Sequence, residues 1–419
     1  MYKRISHIAR SIKLSVLVIL LLSAVMFGKE IVVSQNGNIK TICEALKISR
    51  DGDRIVVEPG TYKEGNLVVN KEIELIGKYF PLIDGSDEGS ILTIRSNGVF
   101  VKGFVFAHAK VSFINDNAAI KLDSVKNCII QGNKFIDNFF AIYLSQSSFC
   151  KILDNNIIAY GKRETTSGNG IHLWYCKNIE IANNKIEGQR DGIYFEFVIS
   201  AKIHDNYSKD NIRYGMHFMF SDSCNYWNNT FQNNGAGVAV MYTKYVEMYK
   251  NNFKNNWGAE SYGLLLKEIS DSKIYSNNFY KNTTGIYMEG CNRIAFSENN
   301  FDNNGWAVKL MSNSLNNIFT KNNFLNNTFD IVTSSRNNFN SFSENYWSDY
   351  KGYDLNRDGV GDVPFHPVKL SSLMVQQQPA SMILLRSLFI GLLDVAESVI
   401  PALTPETLID NKPMMRQIN

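Results

Sequence analysis

The chain has 419 residues, of which 44% are hydrophobic and 20% are charged, and its formal net charge is +3. Four of the basic residues fall within the first 13 positions, so the rest of the chain is close to neutral. A near-neutral chain gives no support to nucleic-acid binding, which needs a basic surface. The length suffices for two or three ordinary domains or for one long solenoid.

The N-terminal segment has the pattern of a secretory signal. Its basic residues are followed by an apolar run from Leu14 to Phe27, which is too short to span a bilayer comfortably. We therefore expect residues 1–28 to direct export from a bacterial cytoplasm and to be cleaved. A retained membrane anchor is the alternative.

Residues 31–62 follow the pattern strand, short amphipathic helix, strand. We expect this helix to plug the open end of a stack of β-coils, because a terminal coil presents unpaired backbone groups. The apolar residues predicted to line one face of the helix are Ile39, Ile42, Ala45, Leu46 and Ile48.

A repeat of about 22 residues then runs from about residue 120 to residue 347. Short runs rich in Ile, Val, Phe and Tyr favour strands, and Asn-rich corners such as 155–156 and 251–252 favour stacked turns. The chain lacks the helical pattern that leucine-rich repeats would require. It is therefore predicted to be all-β, a right-handed parallel β-helix of about ten coils over residues 29–350, with an N-terminal capping helix and a C-terminal helical tail. The Gly or Ala residues that open successive units are Ala141, Gly170, Gly192, Gly215, Gly237, Gly263, Gly285 and Ala307.

Alternation within the strands predicts an unusual outer face. If the residue after each glycine points inward, the outward positions are rich in His, Met and aromatic residues instead of Lys, Thr or Ser. Neighbouring coils are about 4.8 Å apart, so His217, Met219 and Met241 should meet on one surface, with His172 two coils away. Imidazole and thioether groups suit Cu(I). The alternative is that this row packs beneath a loop or a partner protein.

The same face carries further candidate docking residues. Arg190 and Arg213 lie two residues before their glycines and should stack as a polar border beside Trp174 and Tyr194. They would form either an anchor for an acidic partner surface or a solvated turn with a local Arg–Asp contact.

Residues 351–370 form an Asp- and Gly-rich turn that is predicted to close the β-helix. Asp354, Asn356, Asp358 and Asp362 occupy positions 1, 3, 5 and 9 of a calcium loop like that of an EF-hand. Phe365 stands where such a loop needs a bidentate Glu. The two hypotheses are a Ca²⁺ site and an Asx-turn that closes the last coil.

Residues 371–419 are predicted to form an apolar helical tail, with a helix over 380–400 that ends at Pro401. Most of its circumference is apolar, including Leu388 and Leu392. Three charges within it argue against a transmembrane span. We expect this helix to dock on another protein or in the membrane interface, and capping of the coil stack is the alternative.

Five segments of the chain are typical of a known family: residues 188–195, 212–220, 235–242, 345–368 and 384–410. In these segments the chain resembles the NosD family, periplasmic β-helix proteins of nitrous oxide reductase maturation. The resemblance covers essentially the whole mature chain. Its specific parts are the coil with RYGMH and the C-terminal tail, whereas Asn-rich coils are shared with many carbohydrate-active β-helices.

This resemblance implies a non-enzymatic role in assembling the copper–sulfide centre of the reductase. It implies an ABC-type permease and ATPase complex, a copper chaperone and nitrous oxide reductase as partners. It also implies a periplasmic location, held at the inner membrane through the permease. The competing hypotheses are an exported polysaccharide lyase or epimerase, with Tyr194, Glu196, Arg213 and His217 as candidate groups, and a carbohydrate-binding β-helix.

Overall fold

The fold is a right-handed parallel β-helix of about 14 turns, which confirms the predicted fold class. A computed structural model describes residues 28–418 apart from 113, 162, 312, 335–338, 379, 382, 384–386 and 400–407. The predicted signal, residues 1–28, lies outside the described residues except for Gly28. The prediction of about ten coils was too low, because the first coils lack the glycine-led motif from which the repeat was counted.

Each turn contributes one strand to each of three parallel sheets, which we name A, B and C. Within the described residues, sheet A has 14 strands, and their bounds are Glu30–Val33, Arg54–Val57, Glu74–Gly77, Phe100–Lys102, Ile129–Gln131, Lys151–Leu153, Glu180–Ala182, Lys202–His204, Asn225–Trp227, Glu247–Tyr249, Lys273–Tyr275, Ala295–Ser297, Ile318–Thr320 and Ser341–Ser343.

Sheets B and C complete the coil. In the same described part of the chain, sheet B has 13 strands: Thr61–Lys63, Leu82–Asp84, Val105–Ala107, Lys134–Ile136, Asn156–Ile158, Lys185–Glu187, Tyr207–Lys209, Thr230–Gln232, Asn252–Lys254, Asn278–Tyr280, Asn300–Asp302, Asn323–Leu325 and Tyr346–Trp347. Sheet C has 12: Leu67–Val69, Leu92–Ile94, Ala118–Asp123, Phe140–Ser145, Ile171–Trp174, Asp191–Glu196, Tyr214–Met219, Ala236–Met241, Tyr262–Lys267, Thr284–Glu289, Trp306–Leu310 and Phe329–Thr333.

Asparagines at the corners hold successive coils in register. In the first ladder, each side-chain oxygen accepts the backbone N–H and the Nδ2 of the asparagine one coil earlier, as Asn277 does from Asn251 at 3.0 Å for both bonds. These bonds satisfy buried backbone groups that a parallel strand leaves free at its end. The first ladder comprises Asn133, Asn155, Asn184, Asn206, Asn229, Asn251, Asn277, Asn299, Asn322 and Asn345.

A second ladder lies at the corner that leads into sheet C. It follows the same rule, and Asn234, for example, donates its backbone N–H to Asn256 at 3.0 Å. Its members are Asn211, Asn234, Asn256, Asn282, Asn304 and Asn327.

Helix α1 (Ile42–Ile48) closes the N-terminal end, as predicted. Thr41 and Glu44 form a capping box at its start, and it buries Ile42, Ala45 and Leu46 against the first coils. Ile48 was wrongly placed on the packed face, because it is exposed.

The C-terminal region is divided where the sequence predicts one tail. Helix α2 (Leu370–Gln377) packs beside the last strand of sheet C, and helix α3 (Leu388–Val399) follows it. Residues 408–418 return to the last coil, where Asp410 pairs with Phe342 and Met414 with Tyr346. Among the described residues, no helix is long and apolar enough to cross a membrane.

Candidate functional site

The outer face of sheet C carries three columns of side chains along the solenoid axis. The glycine that opens each strand faces the interior, where a Cβ on Gly192 would meet the Ser208 hydroxyl. The glycine and the residue after it thus both face inward, which interrupts the alternation, and the residue before the glycine faces outward. Strict alternation would have placed that residue in the interior. In the relevant coils the first column is Asp191, Tyr214, Ala236 and Tyr262; the second is His172, Tyr194, His217 and Ala239; the third is Trp174, Glu196, Met219 and Met241.

The inward positions agree with the predicted register. Ile171, Ile193, Met216, Val238 and their partners two residues later are fully buried or nearly so. Met288 also lies at an inward position and is fully buried. Because core packing fixes which residues of each strand face inward, it also fixes which residues form the outer columns.

His172 is held by the coil around it. Its Nδ1 lies 3.0 Å from Asn169 Nδ2, and its ring lies 4.7 Å from Tyr143 and 4.6 Å from Tyr194. Burial, with a smaller effect of the Arg190 charge, lowers the pKa of His172 to about 3. Tyr194 separates His172 from His217, so the two imidazoles do not meet directly.

His217 has an unusual environment for a buried imidazole. The residue is 6% exposed, and its ring lies 5.1 Å from that of Tyr194 and 4.8 Å from that of Tyr214. Neither ring nitrogen has a hydrogen-bond partner among the described residues. The nearest acidic oxygen is Asp191 Oδ2, 3.7 Å from Nδ1. A buried polar group without a partner is costly, so it marks a candidate functional site.

Asp191 is a completely buried carboxylate that pairs with Arg213. Arg213 Nε donates to Asp191 Oδ1 at 2.9 Å, and its Nη2 contacts Oδ2. Burial alone would raise the pKa of the Asp191 carboxyl, but the hydrogen bonds from Arg213 and the proximity of the His217 imidazole outweigh this effect and lower it. An Arg–Asp contact is therefore present, but it is buried and joins adjacent coils, unlike the solvated local turn considered in the sequence analysis.

Arg190 and Arg213 stack on adjacent coils, as predicted. The Arg213 backbone N–H donates to the Arg190 carbonyl at 2.9 Å, and Arg190 Nε donates to Asn169 at 3.3 Å. With Glu164 and Thr165 from the loop before Gly170, they line a depression of about 510 Å³. This depression adjoins the first column of the sheet C face.

Met219 and Met241 are register partners on neighbouring strands. Both are half-buried and stand one column away from His217 and Ala239. The described residues contain no group of three or more His, Cys, Asp or Glu side chains placed to hold a metal ion. A soft-metal site here would therefore depend on the thioethers together with His217.

An exposed aromatic ridge, which sequence analysis missed, runs beside the third column. It consists of Tyr175, Phe197, Phe220 and Tyr242, whose successive ring centroids are 4.5, 5.2 and 5.0 Å apart. All four have φ between 50° and 55°, a left-handed conformation that bulky residues rarely adopt. The sequence feature that could have revealed this ridge is the aromatic residue that directly follows each member of the third column, namely Trp174, Glu196, Met219 and Met241.

The Asp-rich loop satisfies its own backbone. Asp354 accepts the N–H groups of Asp358 and Gly359 at 3.2 and 2.9 Å, and Asp362 accepts that of Leu355 at 2.7 Å. Asn356 Oδ1 accepts the Asp358 N–H at 3.1 Å. These are the bonds of Asx-turns, and the structure thus favours a folded turn at the end of the coils.

The helical tail presents a narrow apolar stripe. Leu388 and Leu392, one turn apart on α3, are 80% and 61% exposed. The helix is tied to α2 by Glu397, which accepts the Leu370 N–H at 2.6 Å. These two leucines are thus displayed on an anchored element.

Fold and site together define a β-helix protein with an unpartnered imidazole beside two thioethers on one sheet face. Residues 158–352 match the family described as periplasmic copper-binding protein (NosD), and residues 81–195 match the right-handed β-helix region family. The central part of the chain is thus similar to the NosD family.

Two relatives are similar over nearly their whole length. The chain is 28% identical to a probable ABC transporter binding protein NosD of Pseudomonas aeruginosa, over 89% of this chain and 91% of the relative. It is 24% identical to the protein of the same description from Stutzerimonas stutzeri, over 88% and 89% respectively.

The solved structures that are similar show the fold alone. A family 28 exopolygalacturonase of Yersinia enterocolitica matches with a TM-score of 0.59 and 10% identity, over 76% of this chain and 78% of that one. The adhesin PfbA of Streptococcus pneumoniae matches with a TM-score of 0.51 and 13% identity, over 74% and 89% respectively.

Proposed function

We propose that this protein is a non-enzymatic periplasmic accessory protein for the maturation of nitrous oxide reductase. In this role it acts with an ABC-type permease and ATPase in assembling the copper–sulfide centre, and it handles Cu(I) as cargo. The near full-length similarity to NosD proteins described as ABC transporter binding proteins supports this proposal. The observation that carries copper handling is the buried His217 imidazole, which lies beside Met219 and Met241 and whose two nitrogens have no hydrogen-bond partner in the described part of the chain.

The donor set suits a soft, transferable ion. One imidazole and two thioethers favour Cu(I) over hard divalent cations. Met219 and Met241 are partly accessible and would receive the ion, while His217 lies deeper. Because His172 is separated from His217 by Tyr194, we assign it a structural role in the aromatic column.

An anaerobic Cu(I) competition titration tests this site. The parent protein is compared with a His217→Ala/Met219→Ala/Met241→Ala variant, and with a Leu265→Ala/Lys267→Ala/Glu289→Ala control on the same face. We expect the parent and the control to bind equally and the triple variant to lose tight binding. Equal binding by all three proteins would refute copper handling at this site.

The buried position of His217 argues against the enzyme alternative. A polysaccharide lyase needs an accessible base beside its substrate. Here His217 is covered by tyrosines, and Arg213 is engaged by Asp191. The absence of turnover on uronate polymers, together with copper binding, would support the accessory role.

We infer that partner proteins dock beside the copper site. The aromatic ridge, Trp174 and Tyr194 offer the aromatic surface typical of protein interfaces. Arg190, which stacks beside the Asp191-paired Arg213, offers an anchor for acidic groups. The copper chaperone and nitrous oxide reductase are the partners proposed for this face. A Phe220→Asn/Tyr242→Asn variant should bind such a partner more weakly while it keeps its thermal midpoint, because lost stacking is offset by relief of the left-handed strain.

The apolar stripe on α3 is proposed to dock on the permease, which would hold the protein at the inner membrane. The test is a Leu388→Ser/Leu392→Ser variant in co-purification with the permease, and we expect a large loss of yield. A truncation at residue 380 is unsuitable, since it removes Asp410 from the last coil. Co-purification of the double variant at the parental yield would refute this proposal.

Ca²⁺ binding by Asp354, Asn356, Asp358 and Asp362 is a separate proposal with a stabilising role. The oxygen-rich loop supports it, although several oxygens already accept backbone N–H groups. A rise in the thermal midpoint with added Ca²⁺, lost in Asp358→Asn, is the expected result. An unchanged midpoint would leave the loop as a self-contained turn.

A further inference from the structure

The buried contact between Asp191 and His217 has a counterpart in metal-site chemistry. A histidine that ligates a metal usually donates its second ring N–H to a carboxylate, which fixes the tautomer and the ring orientation. His217 Nδ1 lies 3.7 Å from Asp191 Oδ2, and His217 Nε2 is buried with no hydrogen-bond partner among the residues that the structure describes. A ring shift of about 1 Å would bring Nδ1 within hydrogen-bond distance of the carboxylate.

Arg213 explains how the carboxylate keeps its charge in a fully buried position. An isolated carboxylate there would be strongly destabilised, and a bidentate guanidinium offsets that cost. Arg213 provides this pairing through Nε and Nη2 from the next coil. Asp191 is therefore held as an anion at a fixed place beside the imidazole.

This arrangement is specific to one coil. The register partners of Asp191 on the following strands are Tyr214 and then Ala236, neither of which carries a charge. Among these three described strands, the carboxylate is thus present only on the one directly before His217. Its side chain forms no part of the interior Asn ladders that hold the coils together.

We propose that Asp191 is the positioning residue for His217. Asp191 accepts the Nδ1–H, so that the Nε2 lone pair is free for a soft metal ion shared with Met219 and Met241. Arg213 keeps Asp191 ionised without touching the ion. This inference rests on the proposed copper-handling function, and it adds to that site a residue that positions the histidine without touching the ion.

The key variant is Asp191→Asn, because it should reverse the tautomer. The Asn oxygen would accept from Arg213, and the Asn amide would then donate to His217 Nδ1. The proton would move to Nε2 and occupy the position needed by the metal. We expect Cu(I) affinity to fall about 10- to 100-fold, the range found when such outer carboxylates are altered.

The experiment uses full-length protein labelled with ¹⁵N-histidine, with Cu(I) affinity measured in parallel. In the metal-free parent, the His217 spectrum should show the Nδ1–H tautomer, and Asp191→Asn should show Nε2–H. Asp191→Glu retains a carboxylate and should keep the parental tautomer. Asp271→Asn is the matched control, since Asp271 pairs with Arg293 through bonds of 2.7 and 2.8 Å away from His217.

The outcomes separate this inference from the proposed function. Unchanged tautomer and affinity in Asp191→Asn, with affinity lost in His217→Ala, would overturn the positioning role alone. Unchanged affinity in His217→Ala would refute the copper site itself. If Asp191→Asn is unfolded, as judged by circular dichroism, the tautomer of the parent and of Asp191→Glu decides the question.

Discussion

The two asparagine ladders end on carboxylates with very different support. The first ladder ends at Asn345, and Asp410 Oδ2 accepts its N–H and Nδ2 at 3.1 Å and Trp347 Nε1 at 3.0 Å. The second ends at Asn327, whose Nδ2 donates to Asp330 Oδ1 at 3.2 Å. Asp410 therefore accepts three hydrogen bonds from Asn345 and Trp347, whereas Asp330 accepts one hydrogen bond from its ladder.

Asp330 shows why the end of a solenoid obeys different rules from its middle. It aligns with the repeat glycine and follows Ala307 by one coil. At Gly285, in the middle of the stack, there is no room for a side chain, since a Cβ there would lie 2.6 Å from the Ala307 carbonyl oxygen. The strand that carries Asp330 is the last described strand of sheet C, so a side chain fits there. Burial, aided by the nearby charge of Asp349, raises the pKa of Asp330 to about 7.

The largest expected effect follows from this carboxyl. The folded-state pKa of Asp330 lies above its unfolded value, so its contribution to stability is complete below about pH 4 and is lost as the pH rises through 7. Asp330→Asn should remove that loss, adding up to about 4 kcal/mol to the free energy of unfolding at pH 8 and little at pH 4.5. Urea unfolding at both pH values measures the difference, and a pH-independent difference would contradict the shifted pKa.

A break in the middle of the first ladder should have the next largest effect. Asn251→Ala removes the acceptor of the Asn229 N–H and Nδ2 and the donor to the Tyr226 carbonyl, all of them buried. Leaving these groups unpaired should cost about 3 kcal/mol. The control is Asn228→Gly at an exposed corner with φ 55°, where glycine is tolerated and little change is expected. Equal midpoints in denaturant would show that water replaces the ladder.

Removal of the first ladder's terminal carboxylate should cost somewhat less. Asp410→Ala leaves the Asn345 and Trp347 donors unsatisfied, but they lie at the end of the coil stack, where water can reach them more readily. We expect a loss of about 2 kcal/mol, and about half of that for Asp410→Asn, which retains one acceptor oxygen. Thermal unfolding of both variants tests this order. Equal losses in the two variants would show that the charge matters more than the hydrogen bonds.

The repetitive parts of the molecule were predictable because each coil repeats the same local physics. Corner residues such as Asn155, Asn251 and Asn299 were predicted from their spacing. Asp410 was not, because it closes the ladder from 65 residues beyond Asn345 and nothing in its local sequence indicates that contact. The coils before residue 118 lie within the predicted range of the β-helix but were undercounted, since they bury apolar residues without the glycine-led motif.

The candidate site was predictable only in part. Period-two alternation placed His217, Met219 and Met241 on one face, and the structure has them there. It could not place Asp191 beside His217, since the inward-facing glycine interrupts the alternation and turns the residue before it outward. The left-handed aromatic ridge was missed because bulky residues are rarely expected at such corners.

Gln189 offers the most direct test of what the ladders contribute to stability, and its expected effect is the smallest. Its backbone N–H donates to Asn211 Oδ1 at 3.0 Å, as a ladder residue does, but its buried side-chain amide has no partner in the described structure. Gln189→Asn should place an Nδ2 within reach of Asn211. Satisfying that donor outweighs the loss of one methylene, so we expect a gain of about 1 kcal/mol and a higher thermal midpoint. A loss of stability would mean that the longer side chain is needed for packing against Gly170. In that case Gln189→Leu would be the more stable variant, because leucine fills the same space without polar atoms.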